Sequence, residues 1–272
     1  MFPYIKLFGK VITLYTIMSI VGIFTAGIFM CRLTRKRGLN DNDSIILLLF
    51  SAIGVFLGGH ILYGITNIGL IPQIFDAKSF KEFISYAVTV FGGSVFYGGL
   101  LGGLVAGCIT IKIKKMNLSI FSDMAAVTIP LFHAFARVGC FLSGCCYGVE
   151  SKFGFTVYNN PLVESINGVS RFPVQLLEAF CNILLFLGLY MLYKKSLTCA
   201  ALKGKLMLIY LSIYSVIRFF DEFLRGDEIR GFIFGLSTSQ FISIIIFTVS
   251  VITLFIKHKT DASQQTVSIC NS

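Results

Sequence analysis

The sequence predicts an all-α membrane protein, a polytopic helix bundle with about seven transmembrane helices. Three observations carry this. Mean hydropathy is +0.83. Hydrophobic residues make up 56% of the 272-residue chain and charged residues only 13%, too little charge to cover a soluble domain of this size. Long apolar runs recur along the whole chain, most near the ~20 residues that a helix needs to cross hydrocarbon. The length suits a single transmembrane domain over residues 1–259, with a polar cytoplasmic tail over 260–272. The net charge of +10 does not point to nucleic acid, because many basic residues sit in short clusters between apolar runs, as topology signals do.

The apolar runs are Val11–Cys31, Ile45–Tyr63, Tyr86–Ile111, Ile120–Leu142, Val174–Tyr193, Leu206–Phe220 and Ile233–Ile256. The first is long and leads to a basic cluster, which argues against a cleavable signal peptide. Basic clusters follow at Arg32–Arg37, Lys112–Lys115, Lys194–Lys205 and Lys257–Lys259. Seven spans with an outside N-terminus place all four clusters, and the C-terminus, in the cytoplasm. Lys6 and Lys10 count mildly against that orientation.

Arg137 and Arg218 each stand at the end of an apolar run, on the same predicted face of the membrane. A cation at that depth is costly and marks a site. One reading is a snorkelling anchor. The other is a guanidinium fork aimed at an anion, and the anion that a membrane supplies is a lipid phosphate. Glu222 follows Arg218 by four residues, so on a continuing helix the two share a face and pair. Tyr214 precedes Arg218 by four, which offers a hydroxyl to the same site or an ordinary interface tyrosine. Gln175 and Glu178 open the fifth run behind Pro173, and a carboxylate at that depth needs a partner.

Phe96–Gly103 is rich in glycine, which permits close approach to a partner helix or a ligand. Cys140, Cys145 and Cys146 lack a CxxC or zinc-ribbon spacing. They read as small packing residues rather than metal ligands, with a disulfide open on an oxidising face. His60 and His133 read as satisfied interior polar groups. No metal or cofactor is expected.

In order and spacing these segments resemble the bacterial prolipoprotein diacylglyceryl transferases. The small-residue segment at Phe96–Gly103 is similar to one of that family. Arg137-Val-Gly139-Cys140-Phe141-Leu-Ser143-Gly144-Cys145-Cys146-Tyr147-Gly148 resembles its Arg-x-Gly-Asn-Phe-x-Asn-Gly-Glu-x-x-Gly signature. Phe172-Pro173-Val174-Gln175-Leu176-Leu177-Glu178 resembles His-Pro-x-Gln-x-Tyr-Glu, and Tyr214 to Arg225 closely follows Tyr-x-x-x-Arg-Phe-x-x-Glu-Phe-x-Arg. Phe2-Pro3 and Val55–Gly59 look like the family as well. The departures are Tyr97 where the family has histidine, Cys140 and Ser143 for two asparagines, Cys145 for glutamate, Phe172 for histidine and Leu177 for tyrosine.

The resemblance implies a multi-pass enzyme of the bacterial cytoplasmic (inner) membrane. Its partners would be membrane lipids, phosphatidylglycerol as donor and the lipobox peptide of a preprolipoprotein as acceptor. Arg137, Arg218, Tyr97 and Glu222 would be catalytic. Tyr214, Gly98, Gly99, Gly139, Gly148, Gln175 and Glu178 would bind substrate. Tyr97 would position or relay the thiol proton, although a phenol with a pKa of about 10 is a poor base at neutral pH. A non-catalytic anionic-lipid binder or transporter, and a thiol-redox protein built on the three cysteines, are the alternatives.

Overall fold

In a computed structural model of the chain, residues 4–7, 10–93, 96–161, 163–227, 232–233 and 235–270 are described. Strands β1 (Tyr4–Leu7) and β2 (Lys10–Thr13) form an antiparallel hairpin ahead of α1 (Leu14–Lys36). Helices α2 (Asp41–Thr66), α3 (Ile71–Phe75), α4 (Phe80–Phe91), α5 (Phe96–Ile113) and α6 (Leu118–Ser143) follow. A loop carrying β3 (Glu150–Thr156) and β4 (Ser170–Arg171) leads to α7 (Val174–Ser196) and α8 (Leu206–Asp221). The chain then runs through β5 (Phe232–Ile233) and β6 (Leu236–Ser237) into α9 (Thr238–Cys270). Among the described residues every sheet has two strands.

Among the described residues five helices, α1, α2, α6, α7 and the part of α9 up to Thr260, are long and apolar enough to cross a membrane. The protein is therefore a multi-pass membrane protein. Helix α8 has 16 residues and α5 has 18, short for a full span.

Two sequence expectations change, and the last helix runs longer than its apolar run. Val11–Thr13, the start of the first apolar run, is strand. The run Tyr86–Ile111 is two helices, because Gly92 and Gly93 interrupt it and α4 ends there. Helix α9 passes through Thr260 and continues to Cys270, since no glycine or proline stops it there. Phe2-Pro3 lies outside the described residues.

Two compact units make up the chain, residues 31–121 and residues 1–30 with 122–272. In the first, α5 lies against α2 along glycines. A Cβ built on Gly54 or Gly58 would strike the backbone oxygen of Gly102 or Gly98, and the reverse holds for Gly98 and Gly102. This is the small-x-x-x-small contact that lets membrane helices meet backbone to backbone. His60 Nδ1 lies 2.7 Å from the Phe91 carbonyl oxygen, so its N–H satisfies an acceptor at the end of α4.

In the second unit α1 approaches α6 at Gly22 and Gly139. A Cβ on Gly139 would come within 3.0 Å of Met18 Cβ and 3.1 Å of Tyr15 Cα. The Tyr15 amide donates to Ser143 Oγ at 2.9 Å. Buried Asp123 of α6 caps α8, accepting from the Gly204 amide at 2.6 Å and the Leu206 amide at 3.0 Å. That fixes the start of a helix whose first backbone N–H groups lack partners in the helix itself. Large apolar side chains of α1, α7 and α9, such as Phe24, Phe180 and Phe255, are exposed along the helices, whereas Asn182, Glu178 and Gln175 are buried. Apolar groups outside and polar groups inside suit a lipid solvent.

Candidate active site

Helix α6 presents His133, Arg137 and Cys140 at intervals that keep them on one face. Helix α7 supplies Gln175 and Glu178, and α8 supplies Tyr214 and Arg218. Glu178, 3% exposed, is the hub of this constellation. Its Oε2 lies 2.9 Å from Arg137 Nε, an ion pair rather than an aligned hydrogen bond. Its Oε1 accepts from the Tyr214 hydroxyl at 3.1 Å and lies 3.6 Å from His133 Nε2. The Arg137 side chain is 11% exposed.

The second arginine has its own carboxylate. Arg218 Nη2 lies 2.8 Å from Glu222 Oε2 and donates to Ser239 Oγ of α9 at 3.1 Å. Glu222 stands in the 3-10 turn that extends α8, so the four-residue spacing survives the helix end. The other terminal nitrogen, Arg218 Nη1, is buried without a hydrogen-bond partner among the described residues. A buried guanidinium N–H left open is costly, and an anionic oxygen would complete it. Both arginines also act electrostatically on Glu178. Two cations and two carboxylates thus share a buried region in which charge interactions are weakly screened.

The remaining sequence-predicted residues take structural positions. Gln175 Nε2 donates to the Cys145 carbonyl at 2.9 Å and holds the loop after α6. Gly148 bridges to Arg225, and a Cβ there would meet the Phe172 and Leu224 carbonyl oxygens. Gly139 is the close approach to α1 described above. Gly98 and Gly99 of the other unit lie against Gly58 and Val55 of α2. The Tyr97 side chain lies outside the described residues.

Sequence reasoning missed His133 as a neighbour of Glu178, and it missed Ser239 and the Arg225–Asp227 pair. Arg225 Nε donates to Asp227 Oδ1 at 2.9 Å. Burial opposes the charge on Arg225, but this fork keeps its pKa above the ordinary value. The spacing of His133, four residues before Arg137, was the available signal for the first.

A family model described as prolipoprotein diacylglyceryl transferase matches residues 3–256. The chain belongs to the prolipoprotein diacylglyceryl transferase family. Among curated relatives, a phosphatidylglycerol–prolipoprotein diacylglyceryl transferase of Clostridium tetani is 33% identical over 88% of this chain and 90% of its own length. The Clostridium perfringens protein named phosphatidylglycerol–prolipoprotein diacylglyceryl transferase 2 is 34% identical, covering 89% of each chain. A Campylobacter jejuni transferase of the same name is 31% identical over 93% of each. Arg137, Glu178, Arg218 and Glu222 all lie inside the stretch matched by the prolipoprotein diacylglyceryl transferase model.

Proposed function

We infer that this protein moves a diacylglyceryl group from phosphatidylglycerol to the lipobox cysteine thiol of a preprolipoprotein, the first step of lipoprotein maturation. Family membership supports the reaction. The observation that carries the site is the pair of largely buried arginines, one with an open N–H, each held by its own carboxylate.

The acceptor cysteine loses its proton, and the thiolate attacks the glyceryl carbon bonded to the phosphate oxygen. The carbon–oxygen bond breaks, a thioether forms and glycerol phosphate leaves. Negative charge grows on the departing phosphate. Two fixed guanidiniums in a poorly screened site stabilise that charge more than they stabilise the ground state. Glu178 positions Arg137, Glu222 positions Arg218, and the Tyr214 hydroxyl helps hold Glu178. Tyr97 positions or relays the thiol proton. Gln175, Gly139 and Gly148 support the site by fixing the backbone around it, and Gly98 and Gly99 do the same near Tyr97.

The protein resides in the bacterial cytoplasmic membrane with seven spans, its N-terminus outside and its C-terminus in the cytoplasm. The four basic clusters between apolar runs support this orientation. Neither the non-catalytic lipid binder nor the thiol-redox protein is favoured, because the matched relatives carry transferase names.

Purified protein incubated with phosphatidylglycerol and a lipobox peptide tests the reading. The peptide should gain the mass of one diacylglyceryl group. An unmodified peptide, with protein that still binds the lipid, would instead favour the binder.

A further inference from the structure

The end of α6 gathers three thiols. Gly144 takes a left-handed φ of +79°. The Cys145 amide donates to the Cys140 carbonyl at 3.1 Å, and the Gly144 amide to Phe141 at 3.2 Å. This pair of bonds is the Schellman closure, which folds the residue after the glycine back over the last helical turn. Cys146 then adopts φ +55°, a conformation that costs a residue bearing a Cβ on the order of 1 kcal/mol. The three Sγ atoms all lie within 4.8 Å of one another. All three cysteines are free thiols.

The spacing, which lacks the pattern of a zinc loop, therefore conceals a convergence made by a helix cap. Three sulfurs bound to one ion at about 2.3 Å in a plane stand about 4 Å apart. The Sγ separations, all within 4.8 Å, are of the order that this geometry needs. Thiolates select soft ions such as copper(I) and zinc. Zinc takes four ligands in structural sites. No fourth histidine, cysteine, aspartate or glutamate joins the group among the described residues. Three thiolates around a monovalent ion carry two net negative charges, and the Arg137 and Arg225 guanidiniums both act on Cys146.

We propose that Cys140, Cys145 and Cys146 form a three-thiolate binding site for a soft monovalent metal ion of the copper(I) class. Binding releases three protons: Cu⁺ and three thiols give a copper tris-thiolate of charge −2 and three H⁺. None of its three ligands is a group assigned to the transfer reaction. It would pin the end of the helix that carries Arg137.

The test is anaerobic titration of reduced, metal-free protein in detergent with copper(I), against a chromogenic copper(I) chelator. One ion per chain is expected. Affinity should fall at least 100-fold in each of Cys140→Ser, Cys145→Ser and Cys146→Ser, and stay unchanged in Cys108→Ser and Cys199→Ser. Thermal unfolding of each variant separates lost ligation from lost folding. X-ray absorption of the copper-loaded wild type, which needs no variant, should count three sulfurs. No stoichiometric uptake, two or fewer sulfurs, or unchanged affinity in any one of the three serine variants would overturn the proposal.

Discussion

Glu178 Oε2 stands 2.9 Å from Arg137 Nε in the interior of a membrane protein, and the same carboxylate accepts from Tyr214 through its other oxygen. One side chain of α7 thus ties α6 to α8. Removing one partner of a buried pair leaves the other charge uncompensated. Glu178→Gln keeps the shape and loses the charge. It should destabilise the protein by about 3 kcal/mol and impair transfer, because Arg137 loses its anchor. Thermal unfolding in detergent, followed beside activity, checks this. An unchanged melting profile would mean that the pair contributes nothing to folding.

Gly58 and Gly102 have no room for a side chain, because a Cβ on either meets facing backbone. Gly58→Leu and Gly102→Leu should sharply reduce the yield of folded protein. Gly188 of α7 has nothing within 4 Å of an added Cβ, so Gly188→Ala should be neutral or slightly stabilising. Size-exclusion recovery in detergent distinguishes the cases. Equal recovery of all three variants would contradict the packing account.

The proposed orientation predicts that residues introduced between Glu150 and Ile166 react with a membrane-impermeant thiol reagent from outside, while one at Arg35 does not. A cysteine-labelling map reads this directly. The reverse pattern moves both arginines to the inner leaflet and removes the basis for the site assignment.

Single replacements of Cys140, Cys145 and Cys146 by serine should leave measurable diacylglyceryl transfer, because none of the three pairs with Glu178 or Glu222. Complete loss in a variant that remains folded and inserted would bring a thiol into the reaction.

What the sequence made legible was local. The Arg218–Glu222 pair follows from a four-residue spacing on one helix, and the five membrane-length helices follow from apolar runs. The Arg137–Glu178 pair joins two helices distant in sequence, and no local pattern encodes it. The break at Gly92–Gly93 escaped because glycine does not lower hydropathy enough to interrupt an apolar run. The Asp123 cap of α8 is likewise a tertiary contact. The convergence of the three thiols depends on backbone bonds of a helix end, which residue spacing alone does not reveal.

The central claim is that Arg137 and Arg218 stabilise the departing phosphate through their planar forks. Lysine keeps the charge and loses the fork. Arg137→Lys and Arg218→Lys should each lower the turnover of diacylglyceryl transfer by at least about tenfold, roughly 1.4 kcal/mol, with near-normal expression and insertion. Across a phosphatidylglycerol titration with a lipobox peptide, the loss should fall on kcat more than on apparent lipid affinity, since the phosphate gains charge in the transition state. Full turnover in either lysine variant would remove that arginine from the mechanism and leave it as a snorkelling anchor.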